Sequence, residues 1–162
     1  MLRTRMTRTR LWLFAVLTAV LSPAHADDIR AYSTKAKFDD VRLELDTAII
    51  GRGLAIHSSG NLAAMLDRTG ADVGSTKPVY IAAEFVTFCS AKVSRQAMEA
   101  NPLNAAFCPF SMFIYQSIEK PDEVTVGYRR PTNGPAGTDS ASAAAYVAIE
   151  TLLDGIAKDA LK

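Results

Sequence analysis

Two cysteines and two histidines are all that this 162-residue chain contains of those types, and the scarcity closes off several chemistries. There is no Cys-x-x-Cys-His run for a c-type haem. With His25 in a removable N-terminal segment, His57 is the only histidine left, which excludes sites needing two or more in one chain. The sequence also lacks a phosphate-cradling glycine loop, a dinucleotide-binding fingerprint and an EF-hand loop. A Ser-His-acid triad would depend on His57, which lies in Ile56-His57-Ser58-Ser59-Gly60 without a nucleophile-elbow motif. The apolar run Leu11 to Leu21 is short of the roughly 20 residues that span a bilayer. No basic tract remains for nucleic acid or an anionic membrane surface. The balance leans away from an enzyme with a familiar cofactor.

What is present begins with a targeting pattern. Arg3, Arg5, Arg8 and Arg10 form a basic head, Leu11 to Leu21 an apolar core, and Ala24-His25-Ala26 a small-residue cleavage site. The expectation is a signal peptide over residues 1–26, cut near Ala26-Asp27, and a mature protein in the periplasm. No adjacent arginine pair precedes the apolar core, which favours export of the unfolded chain. Removing this segment takes four arginines from the 18 basic residues and nothing from the 17 acidic ones, so the mature charge is −3. Residues 27–162 suffice for one domain with its own core.

The mature chain is organised around Tyr80 to Pro131, which holds both cysteines and most of the aromatic residues. Tyr80 to Phe88 alternates in strand fashion and ends at Cys89; Ser90 caps an expected helix over Ala91 to Ala100, stopped by Asn101-Pro102. Cys108-Pro109 opens a strand over Phe110 to Ile118, and Pro121-Asp122 turns into another over Val124 to Arg130. Upstream, the pattern predicts a strand at Ile29 to Ser33, a helix over Phe38 to Ile50, a strand at Leu54 to Ser58 and a short helix capped by Asn61. Thr132 to Ser140 reads as a linker, and 141–162 as a helix with Tyr146, Ile149, Leu153, Ile156 and Ala160 on one face. The order predicts one α+β domain over residues 27–131, a mixed sheet of about five strands with helices on one face, followed by the linker and the C-terminal helix.

Export governs the reading of the cysteines. In an oxidising compartment Cys89 and Cys108 favour a structural disulfide, with a stabilisation of about 3 kcal/mol in the chain-entropy model. Two alternatives stay open: redox or sulfur-carrying thiols, and a soft-ligand set of Cys89, Cys108, Met98 and His57 for copper or non-covalent haem. Against the second, Met98 and Met112 are ordinary core filler and His57 an ordinary strand residue. Glu84 inside an apolar strand either faces solvent or needs a partner, for which Arg129 is available if their strands pair.

These residues resemble a known family, the small domains catalogued as domain of unknown function 302. The likeness rests on the Phe38, Val41, Leu45 spacing, Gly53 before Leu54, Phe85 to Phe88, Met98-Glu99-Ala100-Asn101-Pro102, Cys108-Pro109 and Tyr128-Arg129-Arg130-Pro131, and covers roughly Tyr32 to Pro131. Phe88-Cys89 with Cys108-Pro109 looks like an exported, cysteine-bearing branch. The resemblance implies an α+β domain that often dimerises and has no settled activity. The functional expectation is a periplasmic, non-catalytic binding or accessory domain, disulfide-stabilised and homodimeric. It would carry no cofactor, present an apolar surface from Phe107, Phe110, Phe113 and Tyr115, and act on an unknown periplasmic protein or small ligand.

Overall fold

The computed structural model describes residues 28–131 and 140–162. The expected signal peptide, its cleavage point and all of the expected linker but Ser140 lie outside the described residues. The chain runs β1 (Ile29–Thr34), α1 (Phe38–Ile50), β2 (Ile56–Asn61), α2 (Leu62–Thr69), β3 (Tyr80–Phe88), α3 (Ala91–Ala100), a 3-10 helix (Pro102–Phe107), β4 (Phe110–Ser117), β5 (Val124–Arg129) and α4 (Ser140–Asp159).

Local chemistry sets these boundaries. In α1, Val41, Leu45, Ala48 and Ile49 recur at helical spacing and are buried, and Asp39 and Asp40 place negative charge in the first turn, where the helix dipole favours it. Gly53, with φ at +72°, turns the chain away after the helix. The Asn61 side chain caps α2 by accepting from the Ala64 amide at 2.8 Å, and Ser90 caps α3 through the Val93 amide at 3.4 Å. Asn101 ends α3 in extended geometry and accepts from the Leu103 amide at 2.9 Å, starting the 3-10 helix at Pro102.

The strands form one five-stranded sheet in the order β1-β5-β4-β3-β2. Every neighbouring pair is antiparallel, which corrects the mixed sheet expected from the alternation of strands and helices. β1 and β2 do run in the same direction, as the intervening α1 suggests, but they occupy opposite edges and never pair. β2 also lies later than Leu54 to Ser58, because its ladder to β3 runs from Ile56 opposite Phe88 to Asn61 opposite Glu84, with an irregularity between Ile56 and Ser58.

One face of the sheet carries the core. Val86, Phe88, Met112, Ile114, Val124, Val126 and Tyr128 meet Val41, Leu45 and Ile49 of α1 and Ile149, Leu153 and Ile156 of α4, all essentially inaccessible to solvent. Each such aliphatic or phenyl side chain contributes about 1.5–3 kcal/mol on burial. The C-terminal helix therefore belongs to the domain core, packing against α1, α3, β1 and β5. A buried polar knot fixes its first turns: the Asn104 amide donates to the Ala97 carbonyl at 2.8 Å and to Ser142 Oγ at 3.1 Å, and its carbonyl accepts from the Tyr146 hydroxyl at 2.6 Å. No helix among the described residues is long and apolar enough to cross a membrane.

Candidate functional site

The last rung of the ladder between β3 and β4 pairs Phe88 with Phe110. Just beyond it Cys89 leaves one strand and Cys108 approaches the other through a cis Cys108-Pro109 peptide. The two half-buried thiols stand with their sulfurs 2.6 Å apart, and the Ser94 hydroxyl of α3 lies 3.7 Å from Cys108 Sγ. Burial, and then the neighbouring Cys108, push the Cys89 thiol up to about 11. A thiol so held is protonated and weakly nucleophilic at neutral pH, while its geometry suits bonding to the adjacent sulfur.

The other residues of the soft-ligand set are placed differently. His57 is exposed at the irregularity in edge strand β2, and Met98 is half-buried on α3. Among the described residues no group of three or more His, Cys, Asp or Glu side chains could hold a metal ion, so His57 does not join the cysteine pair in such a group.

The expected aromatic surface does not form as one patch. Phe110 is in the core at 3% exposure, and Phe107 packs edge-on against Tyr146 with ring centroids 5.0 Å apart. Phe113 and Tyr115 project from the opposite face of the sheet, because strand side chains alternate and Met112 and Ile114 take the core face. Their actual neighbours there are Phe85, directly across from Phe113, and Tyr80, whose ring centroid is 5.6 Å from that of Tyr115. Phe113 and Tyr115 stack at 6.1 Å. Glycine makes room for both phenyl rings: a β-carbon at Gly60 would stand 2.3 Å from the Phe85 ring, and one at Gly127 would stand 2.4 Å from the Phe113 ring. Period-two alternation in Tyr80 to Phe88 already separates Phe85 from Val86 and Phe88, and is the sequence signal that identifies this second face.

A third cluster lies along α4. Asp154 Oδ1 accepts from the Tyr32 hydroxyl and, at 3.3 Å, from the Tyr128 hydroxyl, while Lys158 Nζ lies 2.6 Å from Oδ2. Lys158 also sits 5.5 Å above the Tyr32 ring. One turn earlier, Glu150 receives Arg130 through bonds of 2.7 and 3.2 Å and has Arg30 at 3.7 Å. Partial burial pushes the Asp154 carboxyl up, but the hydrogen bonds from Lys158 and Tyr32 outweigh it and hold the group below its usual range. Tyr128 moves the other way, raised first by burial and then by the negative charge of Asp154. These groups are each other's partners, and they latch β1 and β5 to α4. Glu84 is likewise paired, to Arg42 Nε of α1 at 2.8 Å; β4 separates its strand from that of Arg129.

Comparison with known proteins bears on this geometry. The family model described as domain of unknown function DUF302 matches residues 30–157, a span that runs past Pro131 and takes in most of α4. A solved structure of an uncharacterized conserved DUF302 protein from Bacillus stearothermophilus superimposes with a TM-score of 0.66 at 15% identity, covering 83% of this chain and 99% of that one. At that identity the likeness speaks for the fold. No curated protein matches the chain.

Proposed function

Because the chain belongs to the family of domain of unknown function DUF302, a membership that carries a fold and no activity, we propose that it serves as an exported, non-catalytic binding or accessory domain of the periplasm, stapled by a Cys89–Cys108 disulfide and paired as a homodimer. The observation that carries this reading is the 2.6 Å approach of the two sulfurs at the ends of adjacent strands. In an oxidising compartment the two thiols give up two protons and two electrons to a disulfide-bearing oxidant protein, and the new bond closes a loop around α3 and the 3-10 helix. The raised Cys89 thiol favours a staple over a reactive dithiol. Support for the homodimer is the face bearing Tyr80, Phe85, Phe113 and Tyr115, since an aromatic patch left half-open on a sheet suits a self-complementary two-fold contact.

The test is the intact mass of periplasmic protein, alkylated with and without prior reduction, together with its absorption spectrum, metal content and sedimentation behaviour. The expected result is a colourless, metal-free dimer whose cysteines react only after reduction. Free thiols in the untreated protein, or stoichiometric copper or haem, would replace the staple by a redox or metal centre on the same two residues.

A further inference from the structure

The two edges of the sheet are guarded unequally. β2 is interrupted between Ile56 and Ser58 and ends in Gly60-Asn61, where Asn61 turns away as the cap of α2. β1 contains no proline, glycine or bulge and pairs on one side only, with β5. The Arg130 amide bonds the Asp28 carbonyl at 2.8 Å, so the even-numbered residues of β1 turn their backbone groups to β5, and those of Ile29, Ala31 and Ser33 point outward. Among the described residues no strand pairs with that outer row. An unblunted row of donors and acceptors is a template for a further strand.

Beside this edge lies a groove of about 540 Å³, lined by Arg30 and Tyr32 of β1 and by Val147, Thr151, Gly155 and Lys158 of α4 among others. Val147, Thr151 and Gly155 recur every four residues and so share one flank of the helix. Val147 is 66% exposed there, although Tyr146 and Ile149 beside it are buried. Arg30 reaches Glu150 and Tyr32 reaches Asp154, so α4 runs alongside β1 in the same direction, with Thr151 level with Ala31.

We infer that a second copy of the chain occupies this edge, its β1 antiparallel to the first across a two-fold axis beside Ala31. Ala31 then faces the partner's Ala31 and Ile29 the partner's Ser33, and the outward groups make about six strand-to-strand bonds. α4 packs over both β1 and β5. The two α4 helices therefore stand two strand spacings apart, roughly 9–10 Å, the distance at which helices pack. Thr151 meets the partner's Thr151 at the axis, and Val147 meets the partner's Gly155, which has no side chain in the way. Arg30 lies across from the partner's Tyr32, whose ring takes a cation on its face. The match of Val147 to Gly155 favours a second copy over a foreign strand. The axis is perpendicular to the sheet, so both aromatic faces stay on one side of the joined sheet, clear of this contact and free for the pairing proposed above.

Sedimentation equilibrium of the full mature chain tests it, with Ala31→Pro as the variant: proline there removes an outward donor and fills the free edge without touching the bonds to β5. Ala31→Pro should halve the mass of the largest species, from tetramer to dimer where the aromatic faces also pair and from dimer to monomer where they do not. Failure of the aromatic contact thus reads differently from failure of this one. Thr151→Arg sets like charges against each other on the axis and should do the same if the proline variant melts early. Amide hydrogen exchange places the contact: Ile29, Ala31 and Ser33 should slow at the concentration where the wild type associates. A wild type that stays monomeric overturns the pairing. So does a folded Ala31→Pro or Thr151→Arg variant with the wild-type mass, or fast exchange at those amides in the associated protein.

Discussion

The ring of Phe113 fills the space over Gly127 that a β-carbon would need, and the Arg30 carbonyl of β1 closes the same space from 2.6 Å. A side chain at 127 therefore meets backbone as well as ring. Gly127→Ala should cost about 1–3 kcal/mol in urea unfolding, as overpacking does. Gly60→Ala meets only the Phe85 ring, which can rotate away, and should cost less. Equal losses at the two positions would show that β1 yields as easily as a side chain.

Alkylation of the fully reduced protein should report the Cys89 environment. With that thiol pushed up to about 11 by burial and then by Cys108, its rate of reaction with iodoacetamide should keep rising beyond pH 9. A plateau below pH 9, followed by peptide mass mapping to Cys89, would contradict the burial described.

Asn104→Ala should destabilise by about 2–3 kcal/mol, because it strands the buried Tyr146 hydroxyl and removes the bonds to Ser142 and to the Ala97 carbonyl, which keeps only the Asn101 amide. Tyr146→Phe removes only one of those bonds and should cost about 1 kcal/mol. The double variant should cost less than the two losses added, since both act on one network.

The Asp154 cluster predicts two limbs in a stability profile. Asp154 is held below its ordinary value, so its contribution is complete above the unfolded carboxylate pKa near 4 and is lost as pH falls through the folded value; Asp154→Asn should flatten that acid limb. Tyr128 is raised above its ordinary value of 10.0, so its contribution is complete below that pH and is lost as pH climbs from there through the folded value. Tyr128→Phe should flatten the alkaline limb, at a cost near neutrality of about 1 kcal/mol or less for a single 3.3 Å hydrogen bond. Chemical denaturation from pH 3 to 11 checks both.

Much of this architecture is written locally in the residues. Tyr80 to Phe88 and Ala91 to Ala100 fold over the spans that their alternation, Ser90 and Asn101-Pro102 predict, because the signals are strong and close together. β2 is less legible: Gly60 and Asn61 are poor strand formers, and their pairing with Phe85 and Glu84 of β3 draws them into the ladder. The cysteine pair can be found from sequence because its strands are consecutive in the sheet. The latch on α4 cannot, since Tyr32 and Asp154 are 122 residues apart and meet only after the sheet has ordered its strands out of sequence. Phe107, Phe110, Phe113 and Tyr115 read as one aromatic cluster along the chain, yet the strand pleat and the 3-10 helix send them to different sides.

That same ordering bears on when the fold can close. β1 has one partner in the sheet, β5, and is latched to α4 by the Tyr32 and Asp154 bond and the Arg30 and Glu150 ion pair. β1 thus has no partner strand until β5, nearly a hundred residues later, has been made, and such distant pairing is entropically slow. A nascent chain of this kind leaves β1 without its ladder for most of its synthesis, so the edge of the sheet closes last.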